Sequence, residues 1–160
     1  MLGGDHSVGL GSLGGLHRVH GPGGVIWIDA HGDLNSPQTS PSGNVHGMVL
    51  AAAIGLAGEE FQGDGWELPA VVPSRVALVG VRSLDDGERE LLKELDACVF
   101  TMSDVDRLGV ERAVRDALAH DDGEFEFRRV EYDNESAAVA WELLPGWGPQ
   151  VAQRLRKGSD

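Results

Sequence analysis

The sequence predicts an α/β fold with a mainly parallel sheet, on three observations. Residues 25–28, 75–81 and 97–100 are short runs rich in bulky apolar side chains, each long enough for one buried strand. Stretches with apolar residues at helical spacing separate them. Polar segments bearing Gly and Pro fall at the junctions, so strand and helix alternate as they do around a parallel sheet.

Taken in order, residues 7–19 read as a helix although they contain Gly9, Gly11, Gly14 and Gly15. Each interior glycine costs about 0.5–1 kcal/mol relative to alanine, so this helix needs close tertiary packing. Gly21-Pro22-Gly23-Gly24 is turn chemistry that delivers the first strand. Residues 34–42, with Pro37 and Pro41, form a polar loop, and 44–56 form a helix with Val49, Leu50, Ala53 and Ile54 on one face. Residues 58–73 are an irregular connection. The strand at 75–81 leads into an acidic helix through Leu95, with Leu91, Leu92 and Leu95 facing inward. After the strand at 97–100, helix resumes at Thr101; Val110, Ala113, Val114, Ala117 and Leu118 then repeat at i, i+3, i+4, i+7 and i+8.

A length of 160 residues suits one domain with a real core. No apolar run reaches membrane-spanning length and no basic–apolar signal peptide opens the chain. Cys98 is alone, which excludes an internal disulfide and fits a reducing cytoplasm. Thirteen basic against twenty-six acidic residues leave a net charge of −13, which disfavours nucleic acid and anionic membranes as partners.

Chemistry concentrates where the first strand ends, in Asp29-Ala30-His31-Gly32-Asp33. In extended backbone, side chains two apart point the same way, so Asp29, His31 and Asp33 converge just past the strand. Two carboxylates and an imidazole suit Mn, Fe, Zn or Mg rather than a thiolate-seeking metal. A polar turn after a strand explains the triplet equally simply. His6, in the glycine turn Gly3-Gly4-Asp5-His6-Ser7, and His46, in the first turn of the helix at 44–56, are further candidates. For both, an ordinary hydrogen-bonded histidine is the alternative. His17 and His20 read as surface residues at a helix end.

Three ordered blocks change the weighting: Gly3-Gly4-Asp5-His6-Ser7, Asp29-Ala30-His31-Gly32-Asp33-Leu34-Asn35, and Ser40-Pro41-Ser42-Gly43-Asn44-Val45-His46-Gly47-Met48. Together they resemble the ureohydrolase superfamily of arginases, agmatinases and formimidoylglutamases, arginases above all. The resemblance implies a three-layer α-β-α fold and hydrolysis of L-arginine to L-ornithine and urea by two manganese ions bridged by hydroxide. By position, His6, Asp29 and Asp33 match ligands of one Mn²⁺. Asp29 and His31 match ligands of the other, with Asp29 bridging. His46 matches the catalytic proton-shuttle histidine, a role suited to an imidazole. Asn35, Ser42 and Asn44 match residues that hold the substrate's α-carboxylate. Asp85 and Glu88 match residues near its α-amino group, although carboxylates at a helix N-terminus are equally expected for the dipole alone. A small-molecule guanidino substrate, a cytoplasmic location and a homo-oligomer are implied with the family.

The resemblance runs to about Ala119 and then fails. The family's next strand ends in Ser-x-Asp-x-Asp-x-x-Asp-Pro, whose first two aspartates complete the metal cluster; here residues 121–132 contain no such pair. Residues 1–120 are therefore expected to form a partial domain, and 121–160 a divergent segment, in part disordered, with a faint likeness to the family's last helix at 134–144. An incomplete or frameshifted gene would produce this pattern. Glu124 and Glu126 are weak substitutes for the aspartates, and Glu131 for a glutamate that receives the guanidinium. One Mn²⁺ rather than two, and impaired turnover, are the expectations. The rivals are agmatinase or formimidoylglutamase activity, a non-catalytic metal-binding or interaction fragment, and a sheet too depleted of strands to fold stably.

Overall fold

The computed structural model describes residues 4–62, 68–120, 127–129 and 139–143. Helix α1 (Val8–His20) precedes strand β1 (Gly23–Ile28); a 3₁₀ turn (Val45–Met48) runs into the short helix α2 (Val49–Ala53). Strand β2 (Val71–Val81), helix α3 (Asp86–Glu94), strand β3 (Cys98–Thr101) and helices α4 (Met102–Leu108) and α5 (Val110–Ala119) follow. Two more strands, β4 (Phe127–Arg129) and β5 (Val139–Leu143), complete a sheet of order β3-β2-β1-β5-β4. β1, β2 and β3 are parallel; β5 runs antiparallel to β1, and β4 antiparallel to β5.

Side-chain alternation along the central strands makes the layers. Val25 and Trp27 of β1, with Val76 and Leu78 of β2, face a core completed by Leu10 and Leu13 of α1, all of α2 and Leu92 of α3. Ile26, Ala77 and Val79 point to the opposite face, against Ala113 and Ala117 of α5. Helices therefore cover both faces of the sheet, the α-β-α arrangement. The glycines of α1 let it lie close: a Cβ at Gly9 would sit 3.5 Å from Val49 and 3.7 Å from both His6 and Trp27. This is the close packing that a helix with four glycines requires.

Several elements differ from the sequence reading. The helix expected over 44–56 is a 3₁₀ turn followed by one α-helical turn, because Met48 leaves helical geometry (φ −122°, ψ 0°). β2 starts at Val71, four residues early; Gly23 pairs with Val71 but Val25 with Val76, and the residues looped out between include Pro73, which has no N–H for the ladder. The last helical stretch breaks in two at Gly109, whose φ of 84° suits a residue without Cβ. The faint likeness of residues 134–144 to a helix is overturned: Val139–Leu143 is a strand along β1. Backbone pairing explains the outcome, since β1 would otherwise present a row of unpaired N–H and C=O groups. Glu124, Glu126, Glu131 and the C-terminal tail lie outside the described residues. Among the described residues no helix is long and apolar enough to cross a membrane.

The start of α4 carries a pH signature. The Asp104 carboxylate accepts from the Thr101 hydroxyl (2.6 Å), the Arg107 guanidinium (2.8 Å) and the Thr101 N–H (3.0 Å). Thr101 first, then Arg107, hold its pKa down from 3.8 to about 2. A carboxyl lowered in the folded state stabilises that state above its unfolded pKa, and the contribution disappears as pH falls through the folded one. The cap is therefore complete above about pH 4 and lost towards pH 2. NMR titration of the Asp104 carboxyl should find a midpoint near 2, moved upward by Thr101→Val.

Candidate metal centre

The site forms at the carboxyl ends of the parallel strands, the usual place for a binding crevice in an open α/β sheet. Asp29 directly follows β1, and its N–H still donates to the Val79 carbonyl (3.2 Å). The Ala30 carbonyl accepts from Arg82 and Ser83, both at 2.9 Å, tying the segment to the end of β2. The extended run does not continue to Asp33, which adopts a left-handed conformation (φ 51°). That conformation costs roughly 1–2 kcal/mol for an ordinary residue and less for Asp or Asn, so the surroundings must hold it. Its carbonyl accepts from Leu50 and Ala51 at the start of α2, both at 3.0 Å.

His6 arrives from the other side, on the turn before α1. Asp5 shapes that turn by accepting the Ser7 N–H (2.9 Å). The His6 ring stacks on Trp27, centroids 4.5 Å apart and planes inclined by 24°. Its Nδ1 lies 2.6 Å from Asp33 Oδ2 and 3.5 Å from Asp29 Oδ2. Despite that proximity Asp33 Oδ2 is buried with no aligned hydrogen-bond donor. One donor atom from each of His6, Asp29 and Asp33 falls within a 4.8 Å cluster. A buried carboxylate oxygen without a donor, beside a second carboxylate and an imidazole nitrogen, is the environment a hard-to-borderline divalent cation satisfies.

His31 does not join that cluster. It lies on the far side of Asp29, Nδ1 3.2 Å from Asp29 Oδ1, and Oδ1 also accepts the His31 N–H (2.9 Å). The Asp29 carboxylate therefore separates two imidazoles, Oδ2 towards His6 and Oδ1 towards His31. His46, on the 3₁₀ turn, is half exposed with Nδ1 3.3 Å from Asp5 Oδ2. Ser7, through its side chain and then its N–H, and next His46 hold the Asp5 carboxyl below its ordinary value. His6, Asp29, His31, Asp33 and His46 line one cleft of about 670 Å³, together with Asp5, Gly80, Arg82 and Met102.

The remaining predicted site residues are not on that lining. Asn35 is buried, donating from Nδ2 to Asp85 Oδ2 (2.9 Å) and accepting at Oδ1 from the Thr39 hydroxyl (3.0 Å). Ser42 and Asn44 are exposed on the loop, with the Asn44 N–H donating to Ser42 Oγ (3.2 Å). Glu88 is 3% exposed, and both its oxygens accept backbone N–H groups, from Leu34 and Asp85. Sequence reasoning gave no role to Asp5, Trp27, Gly80 or Arg82. Only Asp5, one residue before His6 in the glycine turn, carried a local signal; Gly80 and Arg82 reach the cleft from the end of β2, and Trp27 supports it from the core by stacking on His6.

With this geometry described, comparison with known proteins places the chain. Residues 1–125 match the model of the arginase family. The chain belongs to that family. Two of its arginase relatives are those of Bacillus caldovelox, 46% identical over 120 residues, and Brevibacillus brevis, 48% identical over 120 residues. Each alignment covers 75% of this chain and 40% of the relative, so this arginase-family chain spans about two fifths of their length. The B. caldovelox arginase structure superposes with a TM-score of 0.69 over 74% of this chain and 40% of that one. Formimidoylglutamase from Bacillus subtilis, 19% identical with a TM-score of 0.57 over 73% of this chain and 33% of that one, shares the fold.

The left-handed backbone at Asp33 separates what its side chain does from what its main chain needs. Asp33→Asn should keep the fold, since Asn tolerates this conformation, whereas Asp33→Val should be less stable than Asp33→Asn by about 1–2 kcal/mol. Urea unfolding of the two variants measures the difference; equal midpoints would contradict it.

Proposed function

We propose that this chain carries the manganese-binding core of an arginase-type centre directed at the guanidino group of L-arginine. The clustering of His6, Asp29 and Asp33 donor atoms within 4.8 Å, drawn from two distant stretches of chain, carries the proposal. On this reading residues 1–120 are the arginase-like unit and 121–160 a divergent segment. His6, Asp29 and Asp33 hold one Mn²⁺, and Asp29 with His31 provides for a second in a complete centre. Manganese, when bound, supplies positive charge that makes water a nucleophile at neutral pH.

The protein's own groups do the rest. His46, with Nδ1 facing Asp5, keeps Nε2 for proton exchange with the substrate or leaving amine. On this reading the exposed Ser42 and Asn44 provide neutral hydrogen bonds for an α-carboxylate, a group that arginine has and agmatine lacks. Asn35, matched to the same role, is buried and bonded to Asp85 and Thr39, and it holds its loop to the start of α3. The exposed Asp85 is assigned on this reading to the substrate's α-ammonium, to which a carboxylate is complementary. Glu88 stands beside Asp85 at the start of α3, both of its oxygens accepting backbone N–H groups. The acidic surface fits a cytoplasmic protein that handles a small cationic substrate, free or as a homo-oligomer, rather than nucleic acid or membrane.

A second reading, a metal-binding chain without turnover, is favoured by one observation: residues 121–132 lack the aspartate pair that completes the family's metal cluster. Titration of the purified chain with Mn²⁺, followed by electron paramagnetic resonance, should give close to one bound ion per chain. His6→Ala and Asp29→Asn should each weaken binding by about tenfold or more. Urea release from arginine or agmatine, and formamide release from formimidoylglutamate, should stay near background. No binding of Mn²⁺ would remove the metal reading, and brisk urea release would remove the expectation of impaired turnover.

A further inference from the structure

We infer that Glu88 is a positioning residue, whose carboxylate pins the peptide group joining Asp33 to Leu34 and so aims the Asp33 side chain at the metal site. The inference rests on the manganese reading above and adds to it a residue 55 positions away in sequence from the ligand it serves.

The Asp33–Leu34 peptide is held at both ends. Its carbonyl, on Asp33, accepts from the Leu50 and Ala51 N–H groups (3.0 Å each), and its N–H, on Leu34, donates to Glu88 Oε1 (3.0 Å). Three hydrogen bonds on one peptide group fix its plane, and with it the ψ of Asp33. Because Asp33 sits at φ 51°, a modest rotation there would swing its carboxylate away from His6 and Asp29.

Glu88 is built for this contact. Oε2 accepts the Asp85 N–H (2.9 Å), so the carboxylate is anchored to the first turn of its own helix while Oε1 reaches the loop. The residue is 3% exposed and Leu34 equally so, which shields the bond from bulk solvent. Space for the carboxylate comes from Gly32: a Cβ there would lie 3.0 Å from Glu88 Oε1 and 2.9 Å from Leu84 Cδ2. Glycine at position 32, where φ is not positive, is therefore explained by the room that Leu84 and Glu88 together take up. The neighbouring Asn35–Asp85 bond (2.9 Å) fastens the same loop to the same helix start.

The test compares the wild-type chain, Glu88→Gln, Gly32→Ala and Val76→Ala. Glu88→Gln turns one acceptor into a donor facing an N–H; Gly32→Ala pushes the carboxylate off its seat; Val76→Ala is a core truncation remote from the clamp. The first two should raise the Mn²⁺ dissociation constant by about 10–100-fold, the range typical of groups that orient a metal ligand, while Val76→Ala leaves it unchanged. Hydrogen exchange supplies a metal-free readout: the Leu34 amide should exchange slowly in wild type and fast in Glu88→Gln, with the Leu78 amide unaffected. Wild-type affinity in Glu88→Gln, or unchanged exchange at Leu34, overturns the inference. If the wild-type chain binds no Mn²⁺, the metal reading fails, and the Leu34 exchange rates alone decide the clamp.

Discussion

Two carboxylates directed at one point repel each other and give up hydration unless something compensates them, and the first half of this chain is arranged around that constraint. Asp29 comes from the end of a buried parallel strand, Asp33 from a left-handed residue four positions on, and His6 from a turn that packs from the opposite direction. Charges in a partly buried site interact at an effective dielectric near 20, so a pair about 4 Å apart is worth about 4 kcal/mol in either sign. Rigid surroundings are needed to keep such groups together in the absence of a cation. Trp27 supplies one wall by stacking under His6, and α2 supplies another through its first N–H groups on the Asp33 carbonyl.

The same scaffold explains the unusual composition of α1. A helix with four glycines has little intrinsic stability, yet its Gly9 lies within van der Waals reach of His6, Trp27 and Val49 at once. A methyl group there would already be in van der Waals contact with that ring, which leaves room for little more. Low helix propensity is the consequence of bringing His6 close to the sheet, and the buried Leu10 and Leu13 restore part of what is lost.

Much of this was legible in the sequence, and the parts that were not share a physical cause. Apolar runs at residues 25–28, 75–81 and 97–100 marked the strands, although not which side chains face which layer, and the spacing at 110–118 marked α5. The ligand types at Asp29 and Asp33 were readable, but simple alternation also grouped His31 with them. The left-handed turn at Asp33 breaks that alternation, and the cluster forms with His6, which the family resemblance and not the spacing had grouped with Asp29 and Asp33. The shortened α2, the early start of β2 and the strand at Val139–Leu143 are settled by pairing partners distant in sequence. The double engagement of Glu88 likewise depends on Leu34, 54 residues away. Local pattern identifies candidate donors; only tertiary contact decides which of them meet.

Charge balance bears on how many cations this arrangement supports. Two carboxylates, Asp29 and Asp33, face the cluster, and Arg82 adds a positive group to the cleft wall. One divalent ion is neutralised by that pair. Two divalent ions at the 3.5–4 Å spacing of a dinuclear site repel each other about four times as strongly as unit charges, on the order of 16 kcal/mol at the same effective dielectric. Asp29, placed between His6 and His31, offers a carboxylate oxygen to each side but only one negative charge for both. A second ion therefore needs carboxylates beyond those gathered here, which is the role the family's missing aspartate pair would fill. On the manganese reading proposed above, His31 would offer a second position, and these electrostatics would leave it weak.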